Sequence, residues 1–166
     1  VKMFGSSTPL FQFGFGLNAA YKGFKVYADF QGVTGVTVNL LDSPLYKPLV
    51  NNGTISNNFL AREITWTPEN ADRATMPRLT TLENKNNFLA SDLWTESGDF
   101  LKLRELELYY TLPQRWMERV KMEQVRISLK GHNLLCVDEV GIMDPEHISF
   151  AYPVVRTFTV GLNVTF

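Results

Sequence analysis

Three tryptophans, Trp66, Trp94 and Trp116, carry flat apolar faces that could stack on sugar rings. Trp66 and Trp94 share one long Asn- and Pro-rich stretch, where they could meet a ligand or a partner at the mouth of a binding surface. The plainer alternative is that each pins its own loop by burying aromatic area. A second candidate is acidic. Asp138, Glu139, Asp144 and Glu146 could offer oxygens to Ca²⁺, but their spacing does not fit an EF-hand loop, and solvated loop acids account for them more simply. The expected cofactor set is therefore none, with Ca²⁺ in these loops as the one weak candidate.

Other reactive residue types lack the company that chemistry needs. Cys136 is the single cysteine, so no internal disulfide is expected and no metal spacing exists around it. His132 and His147 have no partners at ligand spacing. No nucleophile motif is present, and Gly14-Phe15-Gly16 falls within an alternating strand pattern rather than a phosphate loop. An enzyme is not expected. With a formal net charge of -1 and a pI of about 6.2, there is no basic stripe to suggest nucleic acid.

The elements that must position these residues read as strands. Five segments have period two, at about 11–21, 24–31, 100–112, 124–132 and 156–166. In the first, Phe11, Phe13, Phe15, Leu17, Ala19 and Tyr21 share a face. In the last, Phe158, Val160, Leu162, Val164 and Phe166 do. Lys22-Gly23 is short enough for a hairpin turn. In the third segment the phase changes: Leu101 and Leu103 sit on one parity, Leu106, Leu108, Tyr110 and Leu112 on the other. The shift predicts a bulge at Arg104-Glu105. A helical turn is expected within 114–123, and a short helix could occupy 57–63.

No run of about 18 apolar residues exists, so no transmembrane helix is expected, but a membrane β-barrel lacks such runs too because its faces alternate. Three features favour the barrel. The strands have the roughly 9–11 residues that cross a bilayer at a tilt. The connections alternate: short at 22–23 and 113–123, long at about 32–99 and 136–153. The apolar faces carry no charge, while the opposite faces carry Lys25, Asp29, Arg126, Lys130 and Asn163. Tyr21, Phe24, Phe100, Tyr109 and Tyr110 near strand ends would form an interfacial girdle. Five strands cannot close a barrel, since the smallest have about eight, so a fragment or part of a longer polypeptide is expected. The alternative is a soluble all-β carbohydrate-binding module with Trp66 or Trp94 as its platform.

Seven local motifs resemble one family. They are Phe30-Gln31-Gly32; Trp66-Thr67-Pro68-Glu69-Asn70 with Pro77-Arg78; Asn86-Asn87 with Ser91-Asp92-Leu93-Trp94; Phe100-Leu101-Lys102-Leu103-Arg104 with Tyr110-Thr111-Leu112-Pro113; Gly131-His132-Asn133-Leu134-Leu135; Asp144-Pro145-Glu146 with Tyr152-Pro153; and Arg156-Thr157-Phe158 with Gly161-Leu162-Asn163-Val164-Thr165-Phe166. In this order they resemble the SusC/RagA family of TonB-linked outer-membrane proteins of Bacteroidetes. Lys102 and His132 depart from its commonest residues.

The resemblance implies an all-β fold, here the last five strands of an antiparallel transmembrane barrel of about 22 strands with long external loops. It implies an outer-membrane importer of glycans or oligopeptides, energised through TonB by way of a plug outside this chain. A SusD-like surface lipoprotein would act as the lid, with Trp66 and Trp94 as weak candidates for external contact. Membrane lipid would surround the wall. Phe158, Val160, Leu162, Val164 and Phe166, an alternating apolar strand with a terminal aromatic, resemble the signal read by the barrel-assembly machinery.

Overall fold

The structure, a computed structural model, describes residues 5–42, 64–80, 85–141, 143–147, 152 and 154–166; at Asp42, Lys85 and Val120 it describes the backbone only. The expected helix at 57–63 lies outside these residues. The chain divides into two compact units.

One unit (Leu10–Thr34, Asp99–Asp138 and Val154–Phe166) is a five-stranded antiparallel sheet. Its strands are β1 (Phe11–Tyr21) and β2 (Phe24–Thr34), and further along the chain Phe100–Thr111, Gln124–Asp138 and Thr157–Thr165. Between β2 and the third of these lie two short strands, β3 (Thr37–Asn39) and β4 (Thr95–Ser97), which belong to the other unit. The long strands are therefore β1, β2, β5 (Phe100–Thr111), β6 (Gln124–Asp138) and β7 (Thr157–Thr165). They pair in that order, each with its neighbour in sequence.

Lys22 and Gly23 join β1 to β2 with φ of 45° and 87°. Positive φ at both central residues is the turn geometry whose twist matches a hairpin. Leu112 and Pro113 end β5, because proline has no N–H to give the ladder. A short helix, α1 (Gln114–Val120), follows, closed by Lys121 in the left-handed conformation at φ 54°.

The expected bulge is present. Arg104 has no partner in the ladder with β2 or in the ladder with β6: Leu103 pairs with Phe30 and Leu135, while Glu105 pairs with Asp29 and His132. The extra residue returns Leu101 and Leu103 to the face of Leu106, Leu108 and Tyr110. Strand β6 runs to Asp138, six residues past the expected end at 132. Asn133 takes φ 53°, and Asn133 and Leu134 are left out of the ladder. Leu135 and Val137 then resume pairing opposite Leu103 and Leu101. The expected 24–31 strand likewise extends to Thr34.

The other unit (Val1–Pro9, Gly35–Gly98 and Glu139–Pro153) contains the apolar core. Val38, Leu40, Leu41, Trp94 and Val140 are buried together, with Ile64, Met76, Phe88 and Met143 packed around them. Here the stretch expected as irregular holds β3, β4 and 3-10 turns at Leu40–Asp42, Lys85–Phe88 and Asp92–Trp94. Three-residue strands are too short to show a period, which is why alternation does not reveal them.

Candidate functional site

The two faces of the sheet are the candidate site, and register builds them. Directly opposed residues share a face. One row runs Leu17, Ala28, Leu106, Gly131, Phe158. The next runs Ala19, Val26, Leu108, Leu129, Val160. A third runs Tyr21, Phe24, Tyr110, Ile127, Leu162. Beyond the bulge, Phe15, Phe30, Leu103 and Leu135 continue the same face, with Phe15 and Phe30 stacked at 4.9 Å.

This apolar face is uncovered. Phe15, Leu17, Leu108 and Leu129 are exposed, and exposure reaches 78% at Val160 and 82% at Phe166. A sheet ordinarily buries its apolar face against a second layer. Among the described residues of this unit no such layer exists, and the unit's few buried side chains include Lys102 and Glu107.

The opposite face is polar and bonded within itself. Asn18, Tyr27, Glu107, Lys130 and Thr159 form one row, and Gly16, Asp29, Glu105, His132 and Thr157 the next. Lys130 Nζ lies 2.6 Å from Glu105 and also bridges to Glu107, which accepts the Tyr109 hydroxyl. His132 Nδ1 is 3.9 Å from Glu105. The bulge turns Arg104 to this face as well, where its Nε–H donates to Gln31 Oε1 at 2.7 Å. Glycine in β1 makes room here: a Cβ on Gly16 would sit 3.3 Å from the Tyr27 ring. Wet or protein-filled space suits such a face, whereas a charge facing lipid would cost about 2–4 kcal/mol at the midplane.

Lys25, Asp29, Arg126, Lys130 and Asn163 all belong to the polar face, as expected. Sequence reasoning missed Glu105 and Glu107 as partners of Lys130, and Tyr109 as the donor to Glu107. Their i, i+2 spacing placed them on one face, but only the ladder register names the lysine. The girdle also needs correction. Tyr21, Phe24 and Tyr110 share the apolar row at the short-turn end, Phe24 and Tyr110 stacking at 4.3 Å. Phe100 and Tyr109 point the other way, because they have the opposite parity to Leu101 and Tyr110; Phe100 is buried, paired with Val33.

In the second unit Trp94 is 1% exposed, and its indole N–H donates to the Asn87 carbonyl at 2.8 Å. It stacks on Phe88 at 5.7 Å. Trp94 is therefore enclosed, whereas Trp66 is 40% exposed. The loop presenting Trp66 is tied by Asn70. Its Oδ1 accepts from the Thr67 N–H and hydroxyl, and its Nδ2 donates to the Thr65 carbonyl, at 2.7, 3.1 and 2.9 Å. Asp144 Oδ1 accepts from the Glu146 N–H, an Asx-type turn. Asp138 accepts from the Cys136 thiol. No group of three or more His, Cys, Asp or Glu able to hold a metal occurs among the described residues.

No family model matches the chain. Two curated relatives do. TonB-dependent receptor P3 of Formosa agariphila is 28% identical over 182 residues, covering 99% of this chain, and TonB-dependent receptor P26 of the same organism is 29% identical over 177 residues, covering 98%. The chain spans 17% of the length of each. Among solved structures, it superposes on a chain of the RagAB peptide importer in its closed-closed state with a TM-score of 0.74 at 23% identity, and in its open-open state with 0.70 at 24%. Each match covers 99% of this chain and 18% of that one. At such identities these structures establish the fold, that of a stretch of antiparallel barrel wall. The named relatives are receptors and an importer, not enzymes. With the seven sequence motifs and a sheet whose apolar face is bare, the chain is similar along almost its whole length to TonB-dependent receptors and has the fold of the matching stretch of RagAB.

Proposed function

We propose that this chain is part of the wall and external loops of an outer-membrane TonB-dependent importer. The observation that carries the reading is the sheet itself: five strands with one face apolar and bare, many of its large side chains exposed, the other polar and charged. Lipid is the medium that such an apolar face fits, and an exposed patch of this extent would drive a free soluble module to associate. The cargo is proposed to be glycans or oligopeptides; RagAB is a peptide importer. The proposed partners are a SusD-like surface lipoprotein over the external loops, TonB through a plug elsewhere in the polypeptide, and the barrel-assembly machinery reading the row Phe158, Val160, Leu162, Val164 and Phe166. Trp66 is the residue proposed to meet cargo or lid.

The test is uptake by cells carrying the full-length receptor. Fractionation should place it in the outer membrane, and labelled oligopeptides or oligosaccharides should enter only while the inner membrane is energised. A SusD-like lipoprotein should co-purify. Uptake that persists without inner-membrane energy would overturn the importer reading, and a freely soluble receptor would overturn the wall.

A further inference from the structure

The end of the sheet that carries the short connections is aromatic and basic. Lys22, in the β1–β2 turn, lies 5.2 Å from the Tyr21 ring centroid, beside the Tyr21, Phe24, Tyr110 row. The Gly23 carbonyl accepts the Thr111 N–H at 2.9 Å, so this turn sits at the exit of β5, two residues before α1 begins. In α1 Met117 is buried, while Arg115, Trp116 and Arg119 are exposed. At about 100° per residue these three fall within an arc of about 100°, and Glu118 lies outside it. No ion pair joins Lys22, Arg115 or Arg119 to an acid among the described residues.

An exposed indole at the rim of a lipid-facing surface sits at headgroup depth, and guanidinium groups pair bidentately with phosphate oxygens. We propose that Lys22, Arg115, Trp116 and Arg119 form a docking surface for the headgroups of anionic phospholipid. It would fix the depth of the wall at its short-turn end. Two features single out that occupant. The β1–β2 turn and the segment leading into α1 meet at the same end of the sheet as the Tyr21, Phe24, Tyr110 row, and no ion pair among the described residues neutralises these basic side chains. The inference rests on the wall reading above.

Full-length receptor would be placed in nanodiscs of equal phosphatidylglycerol and phosphatidylcholine, and the lipids it retains on extraction counted by mass spectrometry. The wild type should retain phosphatidylglycerol preferentially. In an R115Q/R119Q variant the ratio should fall roughly 25-fold, since each basic residue near an anionic surface contributes about five-fold. High salt should abolish the wild-type preference, because screening shortens to about 3 Å at 1 M. Equal retention of the two lipids by wild type overturns the inference, as does an unchanged ratio in a variant that inserts normally. If the variant does not insert, the wild-type salt titration decides, and a salt-insensitive ratio overturns it. A wild type that never enters the bilayer would instead sink the wall reading itself.

Discussion

Leu108 of β5 and Leu129 of β6 stand directly opposite one another, and the row they share crosses all five strands from Ala19 to Val160 with no polar side chain. A line of this kind has one function if lipid covers it and is a liability if water does.

Placing a charge on that row distinguishes the two. Val160→Lys should lower the stability of the folded receptor by about 2–4 kcal/mol if the site is near the bilayer midplane. Thr157→Lys, in the same strand on the polar face, should be close to neutral. Urea unfolding in lipid vesicles, followed by heat-modifiable gel mobility, reads both. Equal tolerance of the two lysines would argue for water on both faces.

Phe166 shares the parity of Phe158, Val160, Leu162 and Val164 and is 82% exposed. Phe166→Asp should reduce the receptor assembled in the outer membrane several-fold and leave unassembled chain in the periplasm, as measured by blotting fractionated cells. Phe166→Tyr should assemble normally. Wild-type levels of the aspartate variant would remove this row from the assembly proposal.

The bulge sets which way half of β5 faces. Deleting Arg104 should turn either Leu101 and Leu103 or Leu106 and Leu108 toward the polar side, and assembly should be lost. Arg104→Ala keeps the extra residue and loses the bond to Gln31, at a cost of about 1 kcal/mol. Comparing the two variants for outer-membrane abundance separates backbone from side chain.

Lys130 lies between Glu105 and Glu107, which otherwise would face each other as like charges. Lys130→Gln should lower the thermal midpoint of the assembled receptor by a few degrees. Adding Glu107→Gln should recover part of the loss, because it removes the repulsion. Independent, additive losses in the double variant would show that the three groups do not act together.

Asn70 ties the loop beneath Trp66 with three side-chain bonds. Asn70→Ala should speed amide exchange across 64–76 by roughly ten-fold, as expected for about 1–2 kcal/mol of lost local stability. It should leave exchange in β5 and β6 unchanged. Hydrogen exchange by mass spectrometry resolves the two regions.

Period two is a property of neighbours along the chain, so the five long strands, their apolar and polar parities, the 22–23 turn and the phase break at Arg104 could all be read from sequence. The resemblance to TonB-dependent receptors was legible for a similar reason, since its motifs are short and local. Register is different, because it depends on which residue of another strand lies opposite, and one step of slip exchanges the faces. Only the paired sheet could therefore join Lys130 to Glu105 and Glu107 across β5 and β6, carry β6 past the left-handed Asn133 to Asp138, and send Phe100 and Tyr109 to the polar side. Burial is likewise a fact of tertiary packing. Trp66 and Trp94 look alike in sequence, but Trp94 is enclosed by residues as distant as Val38 and Val140, and Trp66 remains at the surface.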